Sequence, residues 1–298
     1  MSTIEIIEVS PRDGLQNEKL LVSTADKLEL IRRAQAAGVR RMEAVSFANP
    51  KRVPQMADAE AVMQGVTRSE DEGYIGLLLN RRGLDRAIAA GCREVNYVIC
   101  ATDSFSTRNQ AMTTAESLAA WLEVATAAKA AGIRASVTIA ASFGCPFEGE
   151  VAAPHVLALA EKALAGDPCE LAFADTIGCG APNQVTDIVT QGTRLFPNIR
   201  LHFHNTRNTG LANVVAAVAA GAKSIDSGIA GAGGCPFAPG ATGNVATEDV
   251  VYMLERMGVK TGLDLPALVE AGRWLSTIID RPNQSGVGRA GIFPRAAA

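Results

Sequence analysis

The sequence predicts a closed (β/α)8 barrel, and three observations predict it. Short apolar runs alternate with longer stretches of helical spacing from one end of the chain to the other, the pattern of successive βα units. Eight such runs can be picked out, the number that a closed parallel barrel needs. Four of the helical stretches end in the same small-residue phrase, Ala36-Ala37-Gly38, Ala89-Ala90-Gly91, Ala130-Ala131-Gly132 and Ala219-Ala220-Gly221, which closes a helix and lets it pack near a sheet.

The expected strands are Ile4–Val9, Arg41–Phe47, Gly73–Leu79, Glu94–Cys100, Ile133–Ala141, Glu170–Ala174, Arg200–His204 and Lys223–Ser227. Between them, Ser23 to Ala37 reads as a helix opened by Ser23 with Asp26 three residues on, and Thr114 to Ala131 has the same form. The eighth strand leads into a long glycine-rich loop, Gly228 to Asn244, where a short connection is the norm. Long ordered loops of this kind tend to carry function. Helices are expected over Thr247–Met257 and Pro266–Ile279, and a loose tail over about 281–298. No linker divides the chain, so residues 1–298 read as one catalytic barrel domain.

Composition agrees with a large packed core: 298 residues, 48% hydrophobic and 20% charged. A formal charge of -3 supplies no field for nucleic acid, so an anionic ligand must be held by local groups. The N-terminus is acidic where an export signal is basic, and no apolar stretch approaches membrane-spanning length. The chain is expected to be cytoplasmic, with no nucleic-acid or membrane partner. Its six cysteines contain no CxxC pair and are expected to be reduced thiols.

In a barrel the chemistry sits just beyond the C-terminal ends of the strands. Those positions hold Arg12 and Asp13 after strand one, Glu43 on strand two, Cys145 after strand five, Asp175 after strand six, and His202 and His204 on strand seven. The loop after strand eight adds Cys235 and Asn244. His202 and His204 are two apart on a strand, so both rings face the same way. A lone histidine there is more often a hydrogen-bonded core residue. Two of the chain's three histidines on one face of one strand end favour metal binding or catalysis. Asp13 before Gly14 fits a turn residue as well as a ligand. With two imidazoles and an amide oxygen it describes a moderately hard site suited to Mg²⁺ or Mn²⁺.

Other chemistries fit less well. A zinc hydrolase needs more imidazole or thiolate than this chain offers, and His155 is expected at a helix start far from any strand end. A Schiff-base aldolase needs a lysine at the barrel mouth, whereas Lys223 begins its strand. Gly231-Ala-Gly-Gly-Cys-Pro236 places proline where a phosphate loop has its third glycine. It reads better as a flap that closes over substrate and brings Cys235 inward.

Taken together, Ser10-Pro-Arg-Asp-Gly-Leu-Gln-Asn-Glu18, Glu43 with Val53-Pro-Gln-Met56, Phe143-Gly-Cys-Pro-Phe-Glu-Gly149, Ala174-Asp-Thr-Ile-Gly178 and Gly233 through Asp249 resemble the hydroxymethylglutaryl-CoA lyase family. The match runs in order over almost the whole chain; the Cys235 to Asp249 stretch is its most specific part, and Arg12-Asp13-Gly14 belongs to a wider superfamily of barrel lyases, synthases and carboxyltransferases. The resemblance implies Asp13, His202, His204 and Asn244 as ligands of a divalent cation, Arg12 beside the substrate carbonyl, Glu43 and Asp175 as inner polar residues, and Cys235 as the loop thiol. It implies cleavage of 3-hydroxy-3-methylglutaryl-CoA, or a close 3-hydroxyacyl-CoA, to acetyl-CoA and acetoacetate or the corresponding ketone half, with His202 accepting the hydroxyl proton and Cys235 protonating the carbanion. Gln16 and Arg108 are expected to touch the substrate, Arg108 through a CoA phosphate, and a homodimer is the family's expectation. After strand seven the chain departs from the lyase pattern His-x-His-Asp-Thr-Tyr-Gly and reads His202-Phe-His-Asn-Thr-Arg-Asn208. His-x-His-Asn is closer to condensing acyl-CoA synthases such as isopropylmalate synthase, so a condensing reaction is the second reading and a non-catalytic acyl-CoA-binding barrel the third. Arg207 is then expected at the mouth, reading a different acyl group or an extra carboxylate.

Overall fold

A computed structural model describes residues 2–67, 73–234 and 243–293. Eight parallel strands close into a barrel: β1 (Glu5–Glu8), β2 (Arg41–Ser46), β3 (Gly73–Leu78), β4 (Glu94–Cys100), β5 (Arg134–Ala140), β8 (Leu171–Asp175), β9 (Ile199–Phe203) and β10 (Ser224–Ser227). Between β5 and β8 lies a small hairpin of β6 (Gly144–Cys145) and β7 (Gly149–Glu150), which the sequence reading did not anticipate. The barrel closes where β1 pairs with β10. Each expected strand is present and begins or ends within a residue or so of its expected bounds.

The helices are α1 (Thr24–Ala36), α2 (Ala59–Gly65), α3 (Arg81–Ala89), α4 (Asp103–Gln110), α5 (Thr114–Ala130), α6 (Ala153–Ala163), α7 (Pro182–Leu195), α8 (Gly210–Ala219), α9 (Thr247–Arg256), α10 (Leu265–Ile278) and α11 (Gly286–Ala290). Their ends follow from local chemistry. The Ser23 hydroxyl accepts the Asp26 amide at 3.1 Å, and Thr113 and Glu116 form a reciprocal capping box on α5. The glycines of the four Ala-Ala-Gly phrases all sit at positive φ, from 69° at Gly132 to 104° at Gly221, which stops each helix and turns the chain back toward the barrel. None of the described helices is long and apolar enough to cross a membrane.

Alternation along the strands sends one set of side chains outward to the helices and the other into the barrel. The inner set is unusually polar. At its lower level Arg41 pairs with Glu94 and with Glu170 (2.9 Å), and Arg200 reaches Glu170 at 3.1 Å, all of them buried. Above them come Glu43, Asn96, Thr138, His202 and Asp226, and beyond the strand ends Arg12, Asp13 and His204. The floor of ion pairs holds Glu170 below its usual range: burial opposes ionisation, and the Arg200 and Arg41 charges outweigh it.

Two expectations need correction. The segment from residue 281, expected to be loose, is docked as far as it is described. Arg281 donates to Glu18 and to the Gly233 carbonyl, both at 2.8 Å, the Gln284 amide bonds Ala230, and Asp249 accepts from Ser285, Gly286 and Val287 at the start of α11. Polar backbone that packs on the barrel finds partners there, and glycine and proline content alone does not reveal this. His155 is not remote from a strand end, for its Nε2 lies 2.7 Å from the carbonyl of Ala101, the residue after β4.

Candidate active site at the barrel mouth

The first strand ends in a feature that aims two functional side chains. After Val9 the chain makes a π-type turn, Ser10–Gly14, closed by the Gly14 amide on the Val9 carbonyl at 3.1 Å. Buried Glu8 pins this turn, accepting the Ser10 amide at 2.8 Å and the Ile229 amide at 3.0 Å with one oxygen and the Thr247 hydroxyl at 2.7 Å with the other. One carboxylate thus ties the Arg12-Asp13 turn to the start of the glycine-rich loop. Arg12 donates to Glu43 and, at 2.8 Å, to Asp13. Asn96 donates to the other Glu43 oxygen at 3.1 Å. A register shift in the β2–β3 pairing falls between Glu43 and Val45, an irregularity of the kind common beside active sites.

At the end of β9, Phe203 faces outward and packs on Phe143, while His202 and, just past the strand, His204 face inward with ring centroids 5.1 Å apart. His202 Nδ1 lies 3.1 Å from Asp226, and His204 Nε2 lies 3.6 Å from Asp13. Asn244 is brought in by an isolated bridge to His204, and its amide donates to Asp13 at 2.9 Å and to the Ala232 carbonyl at 3.0 Å. Burial disfavours ionising Asp13, but the Arg12 charge and the two histidines hold its carboxyl well below the ordinary range. Burial likewise disfavours protonating His202, and the bond to Asp226 with the Asp13 charge outweighs it, leaving the imidazole above its usual value.

These groups open onto a cavity of about 550 Å³, lined at its inner end by Arg12, Asp13, Glu43, His202, His204 and Asp226. A divalent cation fits the donor set. Ligand atoms of Asp13, His202 and His204 lie within 4.8 Å of one another, and Asn244 Oδ1 and His204 Nδ1 are buried with no hydrogen-bond partner among the described residues.

The remaining expected residues divide. Gln16 lines the cavity, and its buried Oε1 has no partner among the described residues. Arg108 lies outside the cavity lining; its guanidinium stacks 4.0 Å over the Phe147 ring and donates to the Ser104 carbonyl. Asp175, expected to face the chemistry, spends its oxygens on the backbone amides of Cys179 (2.9 Å) and Gly180 (3.0 Å), while its neighbours Ala174 and Thr176 line the cavity. Strand alternation turns it the other way. Arg207 is exposed, outside the cavity lining, and donates to the Ile177 and Gly178 carbonyls at 2.9 and 3.0 Å. Asn205 accepts the Gly210 amide at the start of α8, and Asn208 takes a left-handed φ of 59°. The departure from the expected motif is therefore spent on building a turn.

Cys235 lies outside the described residues. The chain leading to it is held by Asn17, which donates to the Gly234 carbonyl at 3.0 Å, and Gly234 lines the cavity. Burial pushes the Cys100 and Cys179 thiols up to about 12, which favours their protonated form near neutral pH. Sequence reasoning missed Glu8, Asn96 and Asp226. Each is a polar residue inside an apolar run, and that was the available signal.

Fold and site together define a (β/α)8-barrel enzyme with its chemistry at the C-terminal strand ends. The family model described as HMGL-like matches residues 3–275. The chain is 41% identical to the (R)-citramalyl-CoA lyase of Chloroflexus aurantiacus over 100% of this chain and 98% of that protein. It is 39% identical to the hydroxymethylglutaryl-CoA lyase of Pseudomonas mevalonii over 97% of each. A solved HMG-CoA lyase from Acinetobacter baumannii, in complex with coenzyme A and 3-methylmalate, superposes with a TM-score of 0.94 at 40% identity over 98% of each chain. The chain belongs to the HMGL-like family and is a carbon–carbon lyase.

Proposed function

We propose that this protein cleaves the CoA thioester of a 3-hydroxy-3-methyl dicarboxylic acid, either hydroxymethylglutaryl-CoA or its homologue one methylene shorter, citramalyl-CoA. The observation that carries the reading is the convergence of Arg12, Asp13, His202 and His204 at the inner end of one cavity, with Asn244 bonded to Asp13 beside them, in a chain whose relatives include lyases for both thioesters. We assign Asp13, His202, His204 and Asn244 to an Mg²⁺ or Mn²⁺ ion. When bound, the cation would supply Lewis-acid polarisation of the substrate's hydroxyl and carbonyl oxygens.

Removal of the hydroxyl proton needs a base facing the cavity. His202 has one nitrogen free, because Nδ1 is committed to Asp226, and a nitrogen that holds a cation cannot also take a proton. Glu43 is the carboxylate lining the inner end of the cavity that lies outside the ligand set and is not bonded to His202, so we assign the proton to Glu43. As the C2–C3 bond breaks, its electron pair passes to the thioester as an enolate, whose oxygen Arg12 is placed to stabilise. Protonation at C2 completes acetyl-CoA, and Cys235 is the donor we assign. The ketone half leaves as acetoacetate from the longer substrate or pyruvate from the shorter.

Release of acetyl-CoA from each thioester, with Mg²⁺ or Mn²⁺ and after chelation, tests the reading. One methylene is worth about 10- to 200-fold in specificity, so one of the two substrates is expected to dominate clearly. Absence of acetyl-CoA from both, or undiminished turnover after chelation, overturns it. Free CoA appearing only when acetyl-CoA meets a 2-oxo acid would place the chain among the condensing enzymes instead.

A further inference from the structure

The two histidines at the mouth are held differently. His204 leaves Nδ1 without a hydrogen-bond partner among the described residues, whereas His202 Nδ1 meets the Asp226 carboxylate at 3.1 Å. That contact follows from barrel register, since Asp226 on β10 stands directly beside His202 on β9. Asp226 also balances the buried Arg200 charge, but that attraction sets no direction for the carboxylate. Arg200 already pairs with Glu170 at 3.1 Å, and its approach to Asp226 Oδ1 is 3.6 Å without a hydrogen bond. Oδ1 makes no hydrogen bond among the described residues, so the bond to His202 is the one directional contact this buried carboxylate forms there.

We infer that Asp226 is a positioning residue that holds the proton of His202 on Nδ1 and fixes the ring so that Nε2 presents its lone pair to the cavity. Arg200, behind it, keeps the carboxylate in place. An imidazole locked in one tautomer and orientation is a better cation ligand than a free one, because nothing must be reorganised when the ion arrives. The inference deepens the cation-site reading above. Its tautomer component stands without that reading.

The test uses the full-length protein. With three histidines in the chain, long-range ¹H–¹⁵N spectra can be assigned with His155→Gln and His204→Gln. At a pH high enough that the ¹⁵N shifts show the ring to be neutral, His202 is expected to carry its proton on Nδ1 with Nε2 bare. Asp226→Ala is expected to lose that pattern and to weaken Mn²⁺ binding, followed by electron paramagnetic resonance, by about 10- to 100-fold. Asp226→Asn offers Nδ1 an amide donor in place of an obligate acceptor and is expected to move the proton to Nε2 and weaken Mn²⁺ binding. It also serves if the alanine variant fails to fold by circular dichroism. A His202 protonated on Nε2 in the unsubstituted protein, or substitutions that move neither the ¹⁵N pattern nor the Mn²⁺ affinity, overturns the inference. If the unsubstituted protein binds no Mn²⁺, the cation reading falls, and the spectra still decide whether Asp226 sets the tautomer.

Discussion

Arg12 bonds Asp13 and Glu43 at once, and a planar fork of donors is what allows it. Lysine offers the same charge from a single point and cannot hold both carboxylates in one geometry. Arg12→Lys is therefore expected to lower kcat by about 100-fold or more, the loss typical of one oxyanion donor, while the thioester's binding changes little. Glu43→Gln separates proton transfer from cation binding. It is expected to cut kcat by roughly 10²- to 10⁴-fold and to leave Mn²⁺ affinity nearly intact, as steady-state kinetics and metal titration together would show. A variant that loses the metal as well would return Glu43 to a structural part in holding Arg12. These side chains were legible in the sequence because strand ends are the places to look in a barrel. Asp226 and Glu8 were not, since whether a polar residue inside a strand meets a partner depends on the neighbouring strand's register.

The turns that carry the site show the same division. The loop after β8 places Gly178 at a φ of 60°, where a Cβ would lie 2.9 Å from the His204 carbonyl and the Thr206 amide. Gly178→Ala combines left-handed strain with a clash against the chain bearing His204, and is expected to cost about 1–3 kcal/mol. A fall in Tm by calorimetry checks it, and reduced Mn²⁺ affinity is expected alongside, because His204 must shift. The Asn205–Asn208 segment illustrates what a motif comparison cannot see. Arg207 in a list of residues looks like a recognition cation, while in the fold its guanidinium ties one loop to the next.

Across the molecule, the barrel interior is a stack of charges in which each level depends on the one below. Arg41→Met would leave Glu94 without its buried partner and Glu170 with Arg200 alone. Breaking a buried pair from one side is expected to cost about 3–5 kcal/mol, read as a lower denaturation midpoint in urea. A second buried group gives stability a pH dependence. Glu248, which accepts the Ala230 amide behind the glycine-rich loop, is pushed up to about 8, chiefly by burial and then by the nearby charge of Glu8. A carboxyl raised in the folded state contributes stability fully below its unfolded value near 4.5 and loses it as pH rises through 8. Glu248→Gln cannot ionise, so the unsubstituted protein is expected to lose Tm relative to this variant between pH 5 and 9. Tm profiles of the two proteins measured side by side over that range would show the difference closing or reversing, and a constant offset would count against a titrating Glu248.

Local rules were enough to place the strands, the helix stops at Gly38, Gly91, Gly132 and Gly221, and the same-face pair His202 and His204, because periodicity and glycine backbone freedom act over a few residues. The direction of Asp175, the docking of residues 281–289 and the employment of Arg207 were decided by the closed barrel, which sets which side chains share a level and which carbonyls lack donors. Asp226 beside His202 belongs to this second group. The two residues are 24 positions apart in the chain, and β-sheet register alone makes them neighbours.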